Sequence, residues 1–407
     1  MKIRPVILCG GAGTRLWSQS TNNLAKQFIN FGGWNLLEKT LQRIKGPIFD
    51  YPIISTNKKY LKLVKAHLIK LKINKYKIIS EPLKKNTAPA ILISALVNLK
   101  HTTKKGNNTN QPLLFLPADH LIEDVSKFNK AITKNKKNLT DQNIFIFGIK
   151  PLGPSTEYGY FFTKKIKGSI NKVERFVEKP TEFKANKIIK NKGLWNSGML
   201  LSRTDSIINN FKKFSPNIYN SSMMTFVKTK EKSNIYNLNK NKFSKVPEKS
   251  FDYAILEKAK QINAIKLTID WSDLGSWKEI SKVFIKNKAN YYKRENVYYR
   301  PWGNYVNLFK GKRFLIKELT VNSKASISLQ KHHHRSEHWM ITQGMPKITI
   351  NRKTFFKYKN DSVFIPVGAI HRIENLYHKP VKILEVQTGS ILKETDIVRF
   401  KDIYNRV

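Results

Sequence analysis

The chain has 407 residues, of which 40% are hydrophobic and 11% aromatic, a composition that supports a packed core and excludes wholesale disorder. This length favours two or three domains over one. Lysine and arginine outnumber aspartate and glutamate by 75 to 28, which gives a formal net charge of +47.

The net charge first suggests a nucleic-acid-binding protein, but the distribution of the charge argues against that class. Only 13 of the 75 basic residues are arginine, and the lysines are spread over the whole chain. Arginine is the residue that makes bidentate contacts with bases and phosphates. We therefore expect lysine-rich solvated surfaces, no nucleic-acid partner, and a general attraction for anionic, phosphorylated ligands.

The sequence also predicts where the protein works. It contains no run of about 18 apolar residues, so we expect no membrane-spanning segment and no membrane partner. The apolar residues 6–9 are too few for the core of a signal peptide. The single cysteine, Cys9, excludes a disulfide framework and fits a reducing compartment. These features predict a cytoplasmic protein.

The N-terminal part of the chain alternates between strand and helix patterns. Strands are expected at residues 3–9, 52–57, 76–82 and 112–120, and helices at 36–44, 60–71 and 88–99. This alternation is typical of parallel βαβ units, in which ligands bind beyond the carboxyl ends of the strands. Residues 250–261 predict a further helix, and the lysine-rich residues 228–249 predict a surface insertion.

The pattern changes from about residue 298 onward. Short segments of alternating apolar and polar residues are separated by turn residues, as in antiparallel β-barrels and sandwiches. We therefore assign residues 1–285 to an α/β domain, 286–299 to a polar linker and 300–407 to an all-β domain.

The segment GGAGTR, residues 10–15, follows the first predicted strand. Glycines at a strand end let backbone amides approach a phosphate closely, and the next helix offers its N-terminus to the anion. Arg15 and Lys26 add positive charge for a polyphosphate. The segment has neither the G-K-[ST] of a P-loop nor the third glycine of a dinucleotide fingerprint, so the glycines alone also fit a plain tight turn.

Residues 4–17 and 25–28, RPVILCGGAGTRLW and AKQF, closely resemble the signature of sugar-1-phosphate nucleotidylyltransferases. Trp17, Gln27 and Phe28 are typical of the mannose-1-phosphate guanylyltransferases among them. The resemblance continues in order through EPLKKNTAPA (81–90), LPADH (116–120), FGIKPLGPSTEYGYF (147–161), FVEKP (176–180), WNSGMLL (195–201), SFDYAILEK (250–258) and DWSDLGSW (270–277). It implies a Rossmann-like, GT-A-like nucleotidyltransferase domain.

The resemblance also implies roles for individual residues in these segments. The nucleotide would be held by Gly10, Gly11, Gly13, Thr14, Asn86 and Thr87, with charge at the α-phosphorus neutralised by Arg15 and Lys26. The sugar phosphate would be held by Glu178, Lys179, Asn196 and Asp252, and Mg²⁺ by Asp119 and Asp273. Ser18 and Ala25 replace two prolines of the family pattern, which we expect to loosen the loop without removing its charge.

The C-terminal domain contains a second group of candidate ligands. Strand alternation puts Gln330 and His332 on one face and turns His333 away. With Glu337 and His371 they form a set of one amide, two imidazoles and one carboxylate, which suits a divalent metal. A rival assignment uses His332 with His334, and a HHH run can also be an exposed tract.

Residues 361–375 resemble the second cupin motif, P-x-G-x-x-H-x-x-x-N, and residues 330–344 resemble the first, with Gln330 in place of its leading histidine. Together with RPWGNYVNL (300–308) and the C-terminal segment, they resemble the type II phosphomannose isomerase domain. The resemblance implies a cupin jelly roll that binds a divalent metal. Zn²⁺ is the expected ion, with Mn²⁺, Co²⁺ and Ni²⁺ as alternatives on ligand type. Glu385 is a candidate base and Arg399 a candidate phosphate ligand.

The whole chain thus resembles the bifunctional mannose-1-phosphate guanylyltransferase/mannose-6-phosphate isomerases. This implies GTP, mannose 1-phosphate and mannose 6-phosphate as substrates, GDP-mannose for polysaccharide synthesis as product, and a homodimer as one assembly. One departure is that only residues 278–299 join the DLGSW motif to RPWG, where the family has a further β-rich segment. Two alternatives remain: a chain in which one domain is only a structural remnant, and a basic nucleic-acid-binding protein.

Overall fold

A computed structural model describes residues 1–11, 25–29, 34–104, 110–165, 170–274, 297–311 and 313–401. These residues divide into two units, one that ends at Asp273 and one that begins at Leu274. No helix in these ranges is long and apolar enough to cross a membrane.

The N-terminal unit combines thirteen strands with eight α-helices in the described ranges. The strands are β1 Arg4–Cys9, β2 Ile53–Asn57, β3 Lys77–Glu81, β4 Pro112–Pro117, β5 Leu121–Ile122, β6 Ile144–Ile149, β7 Tyr160–Lys165, β8 Asn171–Val177, β9 Leu194–Arg203, β10 Lys230–Lys232, β11 Ile235–Asn237, β12 Ile262–Leu267 and β13 Trp271–Ser272. The helices are α1 Leu36–Arg43, α2 Leu61–Lys70, α3 Thr87–Lys104, α4 Val125–Lys136, α5 Glu182–Lys190, α6 Thr204–Phe214, α7 Pro216–Val227 and α8 Lys240–Phe243. Two 3₁₀ turns, Lys26–Phe28 and Lys58–Tyr60, and a π-helical turn, Asp252–Leu256, complete the unit.

Eleven of these strands form one sheet in the order β10-β11-β3-β2-β1-β4-β9-β6-β12-β8-β7. The strands from β11 to β4 are parallel, whereas β9 runs antiparallel to β4 and β6. Central strands such as β6 are buried along their whole length, as continuous apolar runs predict. Helices α1, α2, α4 and α5 cover one face, and α3, α6, α7 and α8 cover the other. This three-layer arrangement confirms the α/β class expected from the sequence.

The helix ends follow from their flanking residues. Asn35 precedes α1, and its side-chain oxygen accepts a hydrogen bond of 2.8 Å from the backbone nitrogen of Glu38. Asp124 and Asn239 cap α4 and α8 in the same way. Each such cap satisfies an amide that the first helical turn leaves without an intrahelical partner.

The lysine-rich residues 228–249 are not a surface insertion, and that expectation is wrong. Strand β11 pairs in parallel with β3 and so extends the main sheet. Tyr236, Phe243 and Val246 are fully buried in the apolar cluster beneath α3. The lysines occupy the outward positions between these anchors, and they obscured the apolar pattern in the sequence.

The helix predicted at residues 250–261 is also shorter than expected. Regular structure is limited to the π-helical turn Asp252–Leu256, and β12 begins at Ile262. The π turn buries Ala254, Ile255 and Leu256 against α6. The chain must then return to the sheet within five residues, which leaves no room for a longer helix.

The C-terminal unit contains eleven strands in the described residues and no α-helix there. They are β14 Val297–Arg300, β15 Gly303–Lys310, β16 Phe314–Val321, β17 Leu329–His332, β18 Arg335–Gln343, β19 Lys347–Ile350, β20 Lys353–Phe356, β21 Ser362–Ile365, β22 His371–Glu374, β23 Val381–Gly389 and β24 Ile397–Lys401. A 3₁₀ turn, Glu394–Asp396, precedes β24.

These strands form two sheets, with the orders β14-β15-β16-β23-β18-β21 and β20-β19-β22-β17-β24. Both sheets contribute to one apolar core, in which Trp339, Ile348 and Ile383 are fully buried. The two packed antiparallel sheets confirm the expected cupin-type β-sandwich. Most of the predicted linker lies outside the described residues, and its last three residues, 297–299, belong to β14, which pairs with β15.

We predict that Phe115→Ala will lower the free energy of unfolding of the N-terminal unit by about 3–5 kcal/mol, because it leaves a cavity in a fully buried strand. The measurement is urea unfolding followed by circular dichroism at the helix band, since every described α-helix lies in this unit. Phe183→Ala is the matched control: Phe183 is 69% exposed on α5 and should change stability by less than about 0.5 kcal/mol. Equal effects of the two substitutions would contradict this assignment of the core.

Candidate active sites

In the N-terminal unit, the candidate residues meet at one edge of the sheet because β1 and β4 are parallel neighbours. Leu8 of β1 lies opposite Pro117 of β4, so the residues that follow the two strands emerge side by side. Gly10 and Gly11 follow β1, and a Cβ atom at either position would meet no described atom within 4 Å. Among the described residues, nothing occupies the space beside these two α-carbons. Gly13, Thr14 and Arg15, together with Trp17 and Ser18, lie outside the described residues.

Lys26 connects the two predicted Mg²⁺ ligands. Its ammonium is buried and donates a hydrogen bond of 3.1 Å to Oδ2 of Asp119 and another to the backbone carbonyl of Asp273. The Oδ1 atom of Asp273 accepts a hydrogen bond of 2.6 Å from the hydroxyl of Tyr158. The structure therefore brings Lys26, Asp119 and Asp273 together.

The charge state of this cluster suits a phosphate-bound cation. Burial raises the pKa of Asp119, but the charge and hydrogen bond of the Lys26 ammonium outweigh that effect and hold the pKa below its ordinary value. Asp119 is therefore a carboxylate at neutral pH. Mg²⁺ is commonly held by one or two carboxylates together with phosphate oxygens, so this donor set fits the ion.

His120 is a member of the cluster that the sequence reasoning passed over, although it lies in the quoted motif LPADH. Burial lowers its pKa to about 4, so its ring is neutral at physiological pH. Its Nδ1 atom accepts a hydrogen bond of 3.4 Å from Nε1 of Trp271, whose ring lies edge-on to it. The ring therefore fixes the backbone next to Asp119 without adding charge.

A second polar cluster contains three of the four predicted sugar ligands. Asn196 on β9 donates a hydrogen bond of 2.9 Å from Nδ2 to Oδ1 of Asp252. Its backbone nitrogen donates to the carbonyl of Gly159 at 2.7 Å. A Cβ atom at Gly159 would lie 2.5 Å from Oε2 of Glu178, so only glycine leaves room for that carboxyl group. Gly159 is thus a further site residue that lay inside a quoted motif without being singled out.

The acidity of this second cluster differs from that of the first. Burial, followed by the nearby charge of Asp252, raises the pKa of Glu178 to about 7. Burial also raises the pKa of Asp252. With a pKa near 7, Glu178 is partly protonated at neutral pH and can then donate a hydrogen bond to a hydroxyl group as well as accept one. Lys179 is exposed beside them, with a positive φ of 42°.

Asn86 and Thr87 lie at the start of α3. Asn86 is exposed and has a φ of 65°, and its side chain accepts a hydrogen bond from the Thr87 nitrogen at 2.9 Å. The hydroxyl oxygen of Thr87 accepts from the backbone nitrogen of Phe251 at 2.8 Å. Thr87 thus anchors the residue that precedes Asp252. Contact of either residue with a base or ribose stays a prediction.

In the C-terminal unit, His332, Glu337 and His371 present ligand atoms that all lie within 4.8 Å of one another. Glu337 Oε1 lies 3.1 Å from His332 Nε2, and Glu337 Oε2 lies 3.6 Å from His371 Nε2. All three side chains are buried. Strand pairing brings them together, because His371 on β22 is the register partner of Gln330 on β17.

Backbone carbonyls fix how both imidazole rings are oriented. His371 Nδ1 lies 2.9 Å from the carbonyl of Ala369, and His332 Nδ1 lies 3.2 Å from that of Asp396. A carbonyl can only accept, so each Nδ1 carries the proton and each Nε2 presents its lone pair to the cluster. Nε2 of His371 is buried with no hydrogen-bond partner in the described structure.

The charges in this cluster also suit a metal ion. Burial lowers the pKa of His371, which keeps the ring neutral. Burial raises the pKa of Glu337, but its contacts with His332, His371 and Arg335 outweigh that effect and hold the pKa well below its ordinary value. Two buried imidazoles and one carboxylate, with Nε2 of His371 lacking a hydrogen-bond partner in the described structure, fit a divalent transition-metal ion.

The other predicted ligands take different positions. Gln330 lies beside the cluster, with Nε2 3.5 Å from His332 Nε2, while its Oε1 accepts a hydrogen bond from the hydroxyl of Ser328. An exchange of its amide oxygen and nitrogen would turn a ligand atom to the cluster. His334 instead faces Asp396, with Nδ1 2.7 Å from Oδ1, so the geometry favours His371 over the rival pairing with His334.

Next to these ligands lies a cleft that is open to solvent. Glu385, the candidate base, lines it and is buried; burial and the charge of Glu337 raise its pKa to about 8. Gln387 donates hydrogen bonds to Glu385 at 2.8 Å and to Glu337 at 3.0 Å. Trp339 Nε1 donates to both of the same carboxyl groups. Arg399 also lines the cleft.

Two family models match the chain, one for each unit. Residues 4–290 match the family model described as nucleotidyl transferase, and residues 286–402 match the one described as mannose-6-phosphate isomerase C-terminal. The first model covers well over half of the chain. The chain belongs to the nucleotidyl transferase family. It carries the isomerase-type domain as its C-terminal part.

Curated relatives resemble the chain over nearly its whole length. The alginate biosynthesis protein AlgA of Pseudomonas syringae pv. tomato is 31% identical, with 99% of this chain and 96% of the relative covered. A mannose-1-phosphate guanylyltransferase of Klebsiella pneumoniae is also 31% identical, with 99% of each covered. That alignment is 473 residues long against 407 in the chain, so the relative contains residues that this chain lacks.

Solved structures resemble the chain as well. One described as a mannose-1-phosphate geranyltransferase from Thermus thermophilus has 26% identity and a TM-score of 0.59, and covers 70% of this chain and 79% of that one. A mannose-6-phosphate isomerase from Helicobacter pylori, also at 26% identity, has a TM-score of 0.56 and covers 67% of this chain and 100% of that one. These likenesses agree with the nucleotidyltransferase fold of the N-terminal unit.

We predict that the metal-free full chain will gain thermal stability when Zn²⁺ is added, because the ion binds only the folded cluster. The variant His371→Ala should lose that gain and should retain no zinc at this site by elemental analysis. His378→Ala is the matched control, since His378 is exposed and lies outside the cluster. The ligand assignment fails if both variants are stabilised by Zn²⁺ as strongly as the unmodified chain.

Proposed function

We propose that this chain is a bifunctional enzyme. Its N-terminal unit makes GDP-mannose and pyrophosphate from GTP and mannose 1-phosphate, and its C-terminal unit interconverts mannose 6-phosphate and fructose 6-phosphate. The observation that carries the first activity is the convergence of Lys26, Asp119 and Asp273 at a glycine-rich strand end. Family membership and the names of the full-length relatives support the same substrates.

Nucleotidyl transfer needs positioning and charge neutralisation more than covalent chemistry. An oxygen of the mannose phosphate bonds to the α-phosphorus of GTP while the bond from that phosphorus to the bridging oxygen breaks, and pyrophosphate leaves. Lys26 would place a buried positive charge where negative charge builds up on the α-phosphoryl oxygens. Asp119 and Asp273 would hold Mg²⁺, which supplies further neutralisation of the triphosphate.

The second polar cluster would read the sugar. Asn196, held by Asp252, and Glu178, packed on Gly159, would hydrogen-bond the hydroxyl groups, and the exposed Lys179 would pair with the phosphate. Asn86 and Thr87 at the start of α3 would contact the nucleoside. A site that pairs hydroxyl groups discriminates strongly, because the wrong stereoisomer leaves buried polar groups without partners.

In the C-terminal unit, aldose–ketose exchange moves a proton between C2 and C1 of the open-chain sugar. His332, Glu337 and His371, with Gln330 as a fourth ligand, would hold a divalent ion, Zn²⁺ by preference, which supplies electrostatic stabilisation of the developing oxyanions. Glu385 is placed to carry the proton, because it lines the same cleft and is oriented by Gln387 and Trp339.

The described residues of the transferase site and of the isomerase site each form a cluster in the structure. This supports a chain with two active units over one in which one unit is only a structural remnant. Nothing in the comparisons supports the nucleic-acid-binding alternative. A cytoplasmic location completes the proposal, since GTP is found there and the only cysteine is free and buried. The homodimer stays a prediction.

Asp119→Asn should lower guanylyl transfer by at least about a hundredfold, because it removes a charged metal ligand and the partner of Lys26. The assay is pyrophosphate release from GTP and mannose 1-phosphate in Mg²⁺. Asp141→Asn is the control, with the same chemical change at an exposed position, and should be unaltered. His371→Ala should lose isomerase activity and keep transfer. Full transferase activity in Asp119→Asn would exclude the proposed role.

Asn196→Ala should reduce kcat/KM for mannose 1-phosphate about tenfold or more, because a buried amide that hydrogen-bonds the sugar hydroxyls is lost. The ratio of kcat/KM for mannose 1-phosphate to kcat/KM for glucose 1-phosphate should therefore become smaller. Steady-state kinetics with both sugars measures this. Asn191→Ala is the control, because Asn191 is exposed at the end of α5. If the unmodified enzyme uses both sugars with equal efficiency, this cluster does not select the sugar.

A further inference from the structure

Three cationic side chains in the isomerase cleft surround one carboxylate of the protein itself. Glu394 lies on the 3₁₀ turn before β24; its Oε1 lies 3.7 Å from Lys317 Nζ, and its Oε2 lies 3.9 Å from Arg300 Nη2 and 4.0 Å from Arg399 Nη2. The hydroxyl of Tyr305 donates to Oε1 at 3.4 Å. All five residues line the cleft that also contains the metal-cluster residue Glu337.

The contacts with Glu394 are ion pairs without close hydrogen bonds. Every cation lies farther from the carboxylate than a normal N–H···O distance. Glu394 is itself 44% exposed, and ion pairs of this kind contribute little to stability. The carboxylate is therefore easily displaced by a better anion.

The cations, by contrast, are partly or largely buried in the fold. Lys317 on β16 is buried, and its ammonium lies over the ring of Tyr305 at 4.5 Å. The Nε atom of Arg399 is buried with no hydrogen-bond partner in the part of the chain that the structure describes. Arg300 also donates to the Tyr299 carbonyl at 2.9 Å and to the Tyr305 hydroxyl at 3.2 Å, and Lys317 Nζ lies 3.9 Å from Glu385 Oε2. Two guanidinium groups and an ammonium still offer more donors than these contacts and the Glu394 carboxylate use. A phosphate dianion has an additional oxygen and a second negative charge, so it matches this set better than Glu394 does.

The backbone that carries Glu394 is fixed, so its side chain alone can move. Asp396 accepts hydrogen bonds from the backbone nitrogens of His333 and His334, and the Lys393 carbonyl accepts one from Arg335. These bonds hold both ends of the 3₁₀ turn. Glu394 can leave the cations by rotating toward solvent without disturbing His332, whose Nδ1 is bonded to Asp396.

We propose that Arg300, Lys317 and Arg399 form the phosphate subsite of this cleft, and that Glu394 occupies the subsite as an internal anion which the substrate phosphate displaces. The inference rests on the proposed isomerase function and adds a selection step to it. When a phosphorylated sugar binds, its phosphate replaces the Glu394 carboxylate between the three cations. A neutral sugar has no anion to take that place, so Glu394 stays bound. Glu394 is a positioning residue in this scheme and takes no part in proton transfer.

The test measures binding of inorganic phosphate to the metal-loaded full chain by isothermal titration calorimetry. Glu394→Gln should bind phosphate about three- to tenfold more tightly, because the competing anion is gone. Glu374→Gln is the matched control: it removes the same charge from β22, outside the cleft, and should bind as the unmodified chain does. The N-terminal unit is identical in all variants, so differences between them report the cleft.

Two further variants test the cations. Lys317→Met should weaken phosphate binding about tenfold, and Arg399→Gln, at a more exposed position that tolerates substitution, should weaken it about threefold. In the isomerase assay, Glu394→Gln should lower KM for mannose 6-phosphate and leave kcat within about twofold. Substitution of a residue with a purely structural role would not lower KM while leaving kcat almost unchanged.

The inference is overturned if Glu394→Gln binds phosphate no more tightly than Glu374→Gln, or if neither cation variant weakens binding. A third outcome separates the two proposals. If the variants show the expected order of phosphate affinities but the unmodified chain does not interconvert mannose 6-phosphate and fructose 6-phosphate, the anion exchange is supported and the proposed isomerase reaction is excluded.

Discussion

The buried ammonium of Lys26 is the contact on which the N-terminal site depends. A desolvated charge is costly unless it is paired and hydrogen-bonded, and Lys26 meets that condition with the Asp119 carboxylate and the Asp273 carbonyl. The two partners are 154 residues apart in the chain, so one side chain joins the end of β4 to the segment after β13. The same charge keeps Asp119 ionised. The Lys26 side chain therefore both joins the two segments and sets the charge of Asp119 at this edge of the sheet.

The C-terminal site also contains a buried charge that needs hydrogen-bond partners, but this charge is negative. Glu337 is a fully buried carboxylate, and its oxygens accept hydrogen bonds from Arg335, Trp339 and Gln387. These donors fix the position of the carboxylate, and the two imidazole Nε2 atoms lie 3.1 and 3.6 Å from its oxygens. The cluster is preorganised by the protein, and its ligand atoms need little movement to take up an ion.

Much of this arrangement could be predicted from the sequence, and the exceptions have physical reasons. The alternation of strands and helices, the glycine loop and the two cupin motifs depend on local patterns and on resemblance, and the fold follows from them. Gly159 was not singled out because its importance lies in the space it leaves for Glu178, nineteen residues away. Glu394 gave no signal, since three cations from β14, β16 and β24 meet it only after the sheets have formed. Residues 228–249 were misjudged because their lysines outnumber the few apolar anchors that decide burial.

The short strand β10 gives part of the lysine surplus a protective role. It is the outermost strand at one margin of the eleven-stranded sheet, and its three residues, Lys230, Glu231 and Lys232, are all exposed. Without this hairpin, β3 would present unpaired backbone groups on an apolar strand, a surface that recruits strands from other molecules. At the other end of the strand order, β7 pairs with both β8 and β9 through Tyr160 and Phe161, and its last residues are the exposed pair Lys164 and Lys165. Charge on β10 and at the end of β7 should oppose edge-to-edge association, so the lysines that conceal the fold in the sequence help to keep the folded molecules apart.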